Sequence, residues 1–367
     1  MPDHVADTLA RLRDRGLYRR LQALGSAAGL RPGKAGLCPG GAGPRVRLSG
    51  REVLLFASNN YLGLATDARV AEALCRGVQR WGWGAGASRL LAGHTDAHEA
   101  LETDLAAFLG AEAALVFPTG YMTNLGAVTA LVGRGDTVVL DRACHASLYD
   151  AVRLAGARLV RYPECDAAAA VRSLTVAARK AGPGRTLLAT DAVFSMDGRR
   201  APLAALAAAA LARDAMLLVD EAHAIGVLGP SGAGLAEEVF GKVSQAPFPA
   251  NGHGEIPRLA SLARDDIAPG KGPEPILPPA VFVRVGTLSK ALGGVGGFVA
   301  ASRDVIDLLV NRARPFIYTT ALPAAACEAA REALRILQAE PERRLRLHDL
   351  ARHLRTHLRE EGFDLGT

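Results

Sequence analysis

The segment Val281-Phe-Val-Arg-Val-Gly-Thr-Leu-Ser-Lys290-Ala-Leu-Gly-Gly-Val-Gly-Gly297-Phe-Val-Ala300 runs from one apolar strand pattern, through a turn holding a lysine, into another. Val281–Val285 is short, apolar and β-branched, as a buried strand requires. Gly293, Gly294, Gly296 and Gly297 lead into the apolar strand Phe298–Ala300 rather than a helix. A dinucleotide fingerprint needs a helix at that point, so the glycine run is not one. A lysine flanked by hydroxyls and glycines just past a buried strand suits covalent chemistry with a carbonyl. Burial lowers its pKa, and small neighbours leave room for a flat ring.

Outward from this segment the same grammar recurs: a short apolar run, a polar turn, an Ala/Leu-rich helical stretch. Ala113–Phe117, Thr137–Leu140, Arg158–Tyr162, Arg185–Ala189 and Ala215–Val219 read as further buried strands. Their alternation with helices predicts an α/β fold with a mostly parallel sheet. Residues 1 to about 30 are expected to be helical, followed by a Gly/Pro-rich turn region from Arg31 to Pro44. Residues 241–280 break the grammar. They hold eight of the chain's 20 prolines and read as a loop or disordered insertion.

In such sheets ligands gather at the carboxyl ends of the strands. After Ala113–Phe117 comes Pro-Thr-Gly120-Tyr121 opening a helix, a ready anion seat, although alone an ordinary strand-to-helix turn explains it. After Thr137–Leu140 comes His145, which taken singly is more often structural. After Arg185–Ala189 the loop carries Ser195 and Asp197, ordinary turn residues in isolation. After Ala215–Val219 come Asp220 and His223. A buried carboxylate there needs a cation, and a protonated heterocyclic nitrogen would serve. A metal is the rival reading, but no third close ligand accompanies the pair. Jointly the strand ends supply an anion cradle, an imidazole, a carboxylate and the amine of Lys290. That is the inventory pyridoxal 5′-phosphate requires.

Composition agrees with a folded enzyme. The chain has 367 residues, 49% hydrophobic, with mean hydropathy +0.14. The formal charge is +6, with basic residues spread along the chain. The Arg11–Arg20 cluster reads as the solvated face of an amphipathic helix, not a nucleic-acid patch. The mild positive field favours anionic substrates. Five scattered cysteines form no C-x-x-C pair, so neither a disulfide framework nor a zinc site is suggested. The N-terminus lacks a signal-peptide pattern, and the apolar run Ala201–Ala212 is too short to span a bilayer. The expected location is the cytoplasm.

With these residues assembled, the chain resembles the α-oxoamine synthases, pyridoxal-phosphate enzymes of fold type I (the aminotransferase class I/II fold). The likeness rests on Ser58-Asn-Asn-Tyr-Leu-Gly-Leu, Gly84-Ala-Gly-Ala-Ser-Arg-Leu, His98-Glu-Ala-Leu-Glu, Cys144-His-Ala-Ser-Leu and Val193-Phe-Ser-Met-Asp-Gly. It continues through Val219-Asp-Glu-Ala-His-Ala-Ile-Gly-Val-Leu-Gly, Gly286-Thr-Leu-Ser-Lys and Phe316-Ile-Tyr-Thr-Thr-Ala-Leu-Pro. It covers the chain from about residue 10 onward, interrupted by the insertion.

The resemblance implies a large cofactor domain over 51–305, with helices on both faces of the sheet. An N-terminal helix and arm would occupy 1–50, and an incomplete C-terminal domain 306–367. It implies that Lys290 holds the cofactor and moves the substrate's α-proton, and that Asp220 pairs with the ring nitrogen. His223 and Ser195 would hydrogen-bond the phenolic oxygen. His145 would stack on the ring and meet the substrate carboxylate or developing carbonyl. Gly120 and Tyr121 would line the cofactor and Thr287 its phosphate. Thr319 or Thr320 would reach the phosphate of a partner subunit in a homodimer. Arg19, with Arg20 beside it, would contact substrate.

The implied reaction is decarboxylating condensation of L-alanine with a pimeloyl thioester, carried on CoA or an acyl carrier protein, in biotin synthesis. A glycine-using family member, an aminotransferase and a truncated cofactor-binding pseudoenzyme are the alternatives. The last is raised by the ending at Gly366-Thr367, which leaves out the family's Pro-Pro-Thr turn and a substrate-binding arginine.

Overall fold

The computed structural model describes residues 2–26, 45–180, 184–241 and 281–365. They fall into two compact units, Met1–Ser58 and Asn59–Thr367. The turn region 31–44 lies outside the described residues, as does the expected insertion from 242 onward.

In the first unit, α1 (Pro2–Asp14) is followed by β1 (Leu24–Ser26), β2 (Arg45–Leu48) and β3 (Arg51–Leu54), an antiparallel three-stranded sheet. A helix reaching residue 30 does not form. It stops at Asp14, Gly16 turns the chain with a φ of 64°, and residues 24–26 become a strand. A glycine in the left-handed region ends a helix without the steric penalty of a side chain. The basic cluster is therefore split rather than spread along one helical face. Arg11 and Arg13 sit on the last turn of α1, whereas Arg20 lies beyond it, 5.7 Å from the centre of the Tyr18 ring.

The second unit holds α2 (Ala68–Trp81), α3 (Asp96–Leu109), β4 (Ala113–Phe117), α4 (Gly120–Leu131), β5 (Thr137–Asp141), α5 (Ala146–Ala155) and β6 (Arg158–Tyr162). There follow α6 (Ala167–Lys180), β7 (Thr186–Asp191), α7 (Leu203–Leu211), β8 (Met216–Asp220), α8 (Leu235–Phe240), β9 (Phe282–Thr287) and β10 (Gly297–Ala301). The chain continues through α9 (Arg303–Arg312), α10 (Arg314–Ile317), α11 (Ala324–Ala339) and α12 (Glu342–Glu360). Every strand expected from the apolar runs is present, with ends displaced by at most two residues.

The sheet order is β4-β10-β9-β8-β7-β5-β6. Strands β5 to β9 pair in parallel, and β10 runs antiparallel between β9 and β4. Because alternate side chains leave opposite faces, β4 and β10 each feed two cores. Leu115, Phe117 and Val299 join the core beneath α4 to α7, while Val116, Phe298 and Ala300 join the one beneath α3 and α11. Burial on both faces is why these strands read as unbroken apolar runs.

Two buried ion pairs complete the frame. At the outer edge of β4, the Val116 N–H donates to Glu102 Oε1 at 2.8 Å and the Val116 carbonyl accepts from Arg89 Nη1 at 3.3 Å. Arg89 and Glu102 also pair with each other at 2.9 Å, so side chains occupy an edge where another strand could add. Just past β8, Glu221 accepts the N–H groups of Leu235 and Ala236 at 2.8 and 2.9 Å and pairs with Arg284 at 3.3 Å. This ties the end of β8 to the start of α8.

Candidate active site

The carboxyl ends of β5, β7, β8 and β9 and the first turn of α4 enclose a cleft of about 280 Å³. Surface grooves of about 670, 640 and 290 Å³ are larger, but none of the three holds any of the strand-end residues singled out above. Chemistry rather than size marks the site.

Lys290 sits in the turn after β9, where burial pushes its pKa down while Asp220 and Asp191 act in the opposite sense. Its Nζ lies 2.8 Å from His223 Nε2, and His223 Nδ1 lies 2.7 Å from Tyr61 Oη. Burial, and then the Lys290 cation, hold the His223 pKa down at about 4. The ring is therefore neutral at pH 7.

Asp220 ends β8 and is 7% exposed. Its Oδ2 accepts from Asn124 Nδ2 at 2.7 Å and its Oδ1 from the Ala222 N–H at 2.9 Å. Asp191 ends β7 in register beside it, and accepts the His145 N–H at 3.2 Å. Burial, then the Asp220 charge, drives the Asp191 pKa well above the usual carboxylate range.

At the other end, Thr119 caps α4 by accepting from the Met122 N–H at 3.1 Å. Gly120 lets this helix start approach Thr287, since a Cβ there would lie 3.3 Å from Thr287 Oγ1. Thr287 Oγ1 donates to the Gly296 carbonyl at 2.9 Å and lies 2.7 Å from Ser289 Oγ. A helix N-terminus flanked by two hydroxyls is an anion seat.

The residues fit pyridoxal 5′-phosphate. Asp220 is nearly buried and has no ion-pair partner among the described residues, so a protonated ring nitrogen would complete it. The anion seat, the lysine and the His145 imidazole line the same cleft. No group of three or more His, Cys, Asp or Glu side chains suited to a metal occurs among the described residues.

The structure thus gathers Lys290, Asp220, His223, His145, Gly120, Tyr121 and Thr287 around one cleft. It does not bring Ser195 there. A bridge between Val193 and Arg200 closes the loop as a tight turn that carries Ser195 out to solvent. Thr319 and Thr320 lie in the segment after α10 and do not line the cleft. Arg19 belongs to the first unit, whereas all lining residues come from the second.

Sequence reasoning passed over Tyr61, Asn124, Ser147, Asp191 and Ser289. For Asn124 there was a signal: it lies one turn after Gly120 on a largely apolar helix. Asp191 occupies on β7 the place that Asp220 holds on β8.

The sequence model for "aminotransferase class I and II" matches residues 51–367. The 8-amino-7-oxononanoate synthase of Geobacter sulfurreducens is 43% identical over 367 residues, 99% of this chain and 80% of that protein. The protein of the same name from Methylococcus capsulatus is 47% identical over 322 residues, 88% of this chain and 73% of its own length. A serine palmitoyltransferase from S. paucimobilis, solved with bound pyridoxal phosphate and myriocin, superposes with a TM-score of 0.77 at 28% identity. That match covers 99% of this chain and 78% of the other. The chain belongs to the aminotransferase class I and II family of pyridoxal-phosphate enzymes, in its α-oxoamine synthase branch.

Proposed function

We propose that the chain joins L-alanine to a pimeloyl thioester with loss of carbon dioxide, forming 8-amino-7-oxononanoate for biotin synthesis. The observation that carries this reading is the meeting of Lys290, Asp220, His223 and His145 in one cleft, in a chain whose relatives bear that enzyme's name.

Bound in the cleft, pyridoxal 5′-phosphate supplies an electron sink for the pair left behind when the amino acid loses its α-proton. Asp220 would keep the ring nitrogen protonated, and the start of α4 with Thr287 would receive the phosphate. Lys290 would hold the cofactor and then, as a free amine, take and return the α-proton. Burial pushes its pKa down, in the direction that favours the neutral form this step needs. Strand ends on one side and the α4 turn on the other limit water at the reacting carbon.

The finer assignments are proposals of the same kind. Arg19 would meet the acyl substrate, and Thr319 or Thr320 the phosphate in a partner subunit of a homodimer. The acyl carrier would be CoA or an acyl carrier protein, and the location the cytoplasm. Among the described residues no helix is long and apolar enough to cross a membrane.

The test is incubation of the loaded chain with L-alanine and pimeloyl-CoA, reading product by mass spectrometry against Lys290→Ala. The expected result is 8-amino-7-oxononanoate from the parent alone. Product from glycine but not alanine, or none from either, would overturn the assignment.

A further inference from the structure

His145 caps the start of α5, and its ring orientation is set by what surrounds Nδ1. The Ser147 N–H points at Nδ1 at 3.3 Å, and Ser147 Oγ lies 2.7 Å from the same nitrogen. A peptide N–H can only donate, so Nδ1 must be the ring's lone-pair nitrogen. Ser147 Oγ itself accepts from Asn124 Nδ2 at 2.8 Å, which leaves its own hydrogen for Nδ1. The Asn124 amide has no freedom either. Its nitrogen also donates to Asp220 Oδ2 at 2.7 Å, and an ionised carboxylate only accepts. The direction of every hydrogen from Asp220 to His145 is thus dictated from both ends, by a carboxylate and by a peptide N–H. Ser147 is fully buried and Asn124 is 2% exposed. Asn124 keeps this orientation although its own Oδ1 has no hydrogen-bond partner.

We propose that Asn124 and Ser147 are positioning residues that hold His145 as its Nε2–H tautomer, so that the ring meets the reacting groups as a neutral donor. The same link ties the His145 ring to the carboxylate that supports the ring nitrogen. What His145 faces rests on the proposed function; the tautomer is a property of the chain alone. The other charged or titratable groups lining this cleft are Asp191, Asp220, His223, Lys290 and Tyr121. None of them is placed to donate to Nδ1 as Ser147 does, and Asp191 is engaged by the His145 backbone N–H instead.

The experiment is nitrogen-resolved NMR of the full chain labelled at histidine, with and without pyridoxal 5′-phosphate, on the parent, Ser147→Ala and Ser147→Thr. The parent is expected to show His145 protonated at Nε2 only. Ser147→Ala keeps the longer peptide N–H contact at 3.3 Å but loses the 2.7 Å hydroxyl donor. A share of the Nδ1–H form should therefore appear beside the parent tautomer, and kcat should fall about tenfold, the rate equivalent of one hydrogen bond, with the cofactor absorbance unchanged. Ser147→Thr keeps the hydroxyl and should return both readouts toward the parent. An Nδ1–H or doubly protonated His145 in the parent at neutral pH overturns the proposal. So does a Ser147→Ala spectrum and kcat equal to the parent's. If Ser147→Ala does not fold, the parent spectrum decides by itself. Absence of all turnover would defeat the proposed function while leaving the tautomer to be judged on the spectrum.

Discussion

Asp191 and Asp220 close neighbouring parallel strands side by side, yet only one of them can carry charge comfortably. Asp220 is held by two N–H donors, from Asn124 and Ala222. Asp191 is more deeply buried, is crowded by the Asp220 charge and stays protonated well above the usual range. The two amide substitutions should therefore differ. Asp191→Asn keeps the shape of a group whose charge is already disfavoured by burial and by Asp220, and should change kcat/KM by less than about threefold. Asp220→Asn removes the charge proposed to face the ring nitrogen and should lower kcat by about a hundredfold or more. Steady-state kinetics on both variants, with cofactor content checked, tests the contrast.

Tyr61 reaches His223 from the side away from Lys290, and nothing in its sequence position suggested this role. Tyr61→Phe removes a 2.7 Å hydrogen bond without emptying the space the ring fills. Folding stability should fall by about 1 kcal/mol. The rate should fall about tenfold as His223 loses its anchor. Urea titration and kcat measurements on one preparation separate the two effects.

Acid should weaken the fold through histidines kept neutral. Burial, joined by nearby cations, lowers both His98 and His223 to about 4 from an ordinary value of 6.5. Between those values the unfolded chain binds protons that the folded chain refuses. Stability is therefore retained above pH 6.5 and lost as pH falls toward 4. His98 donates through Nε2 to the Leu322 carbonyl at 2.8 Å, so His98→Gln preserves a donor while removing the titration. Melting temperatures measured across this window should decline less steeply in that variant.

Arg89→Ala leaves the Glu102 carboxylate at the β4 edge without its cation. Breaking a buried pair from one side typically costs about 3–5 kcal/mol, far more than losing a surface pair. It also uncovers the Val116 carbonyl on an edge strand. Denaturant midpoints should drop accordingly, and light scattering should report increased self-association.

Gly297→Ala would strike the proposed phosphate seat from behind. A Cβ there would come within 2.7 Å of the Gly120 Cα and crowd Thr123, so α4 must shift away from β10. Cofactor affinity should fall about tenfold or more, read by absorbance titration.

Legibility in the sequence followed geometry. The strand ends bearing Asp220 and Lys290 could be found because strands buried on both faces leave uninterrupted apolar runs, which end where polar residues resume. Asn124 could not, because one amide within a helix declares neither its burial nor its partners. Ser195 follows a strand as His145 does, but the Val193–Arg200 bridge directs it outward. Only the folded turn reveals that difference. The early end of α1 depended on the backbone at Gly16, a single residue within a basic stretch that otherwise keeps a helical rhythm.

The place of β9 in the sheet has a consequence for how the protein is made. β9 lies between β8 and β10, yet it is translated after β4, β5, β6, β7 and β8. A chain still emerging from the ribosome therefore has β8 open along one side, and β4 has no neighbour until β10 arrives. The carboxylates and His145 exist in this half-built sheet, but Lys290 does not. Such non-local pairing is slow and leaves strand edges uncovered in the meantime, a period when chaperone protection matters most. On the proposed role of Lys290, covalent capture of the cofactor would wait for β9, so a newly made chain that takes up the cofactor is one whose sheet has gained that strand.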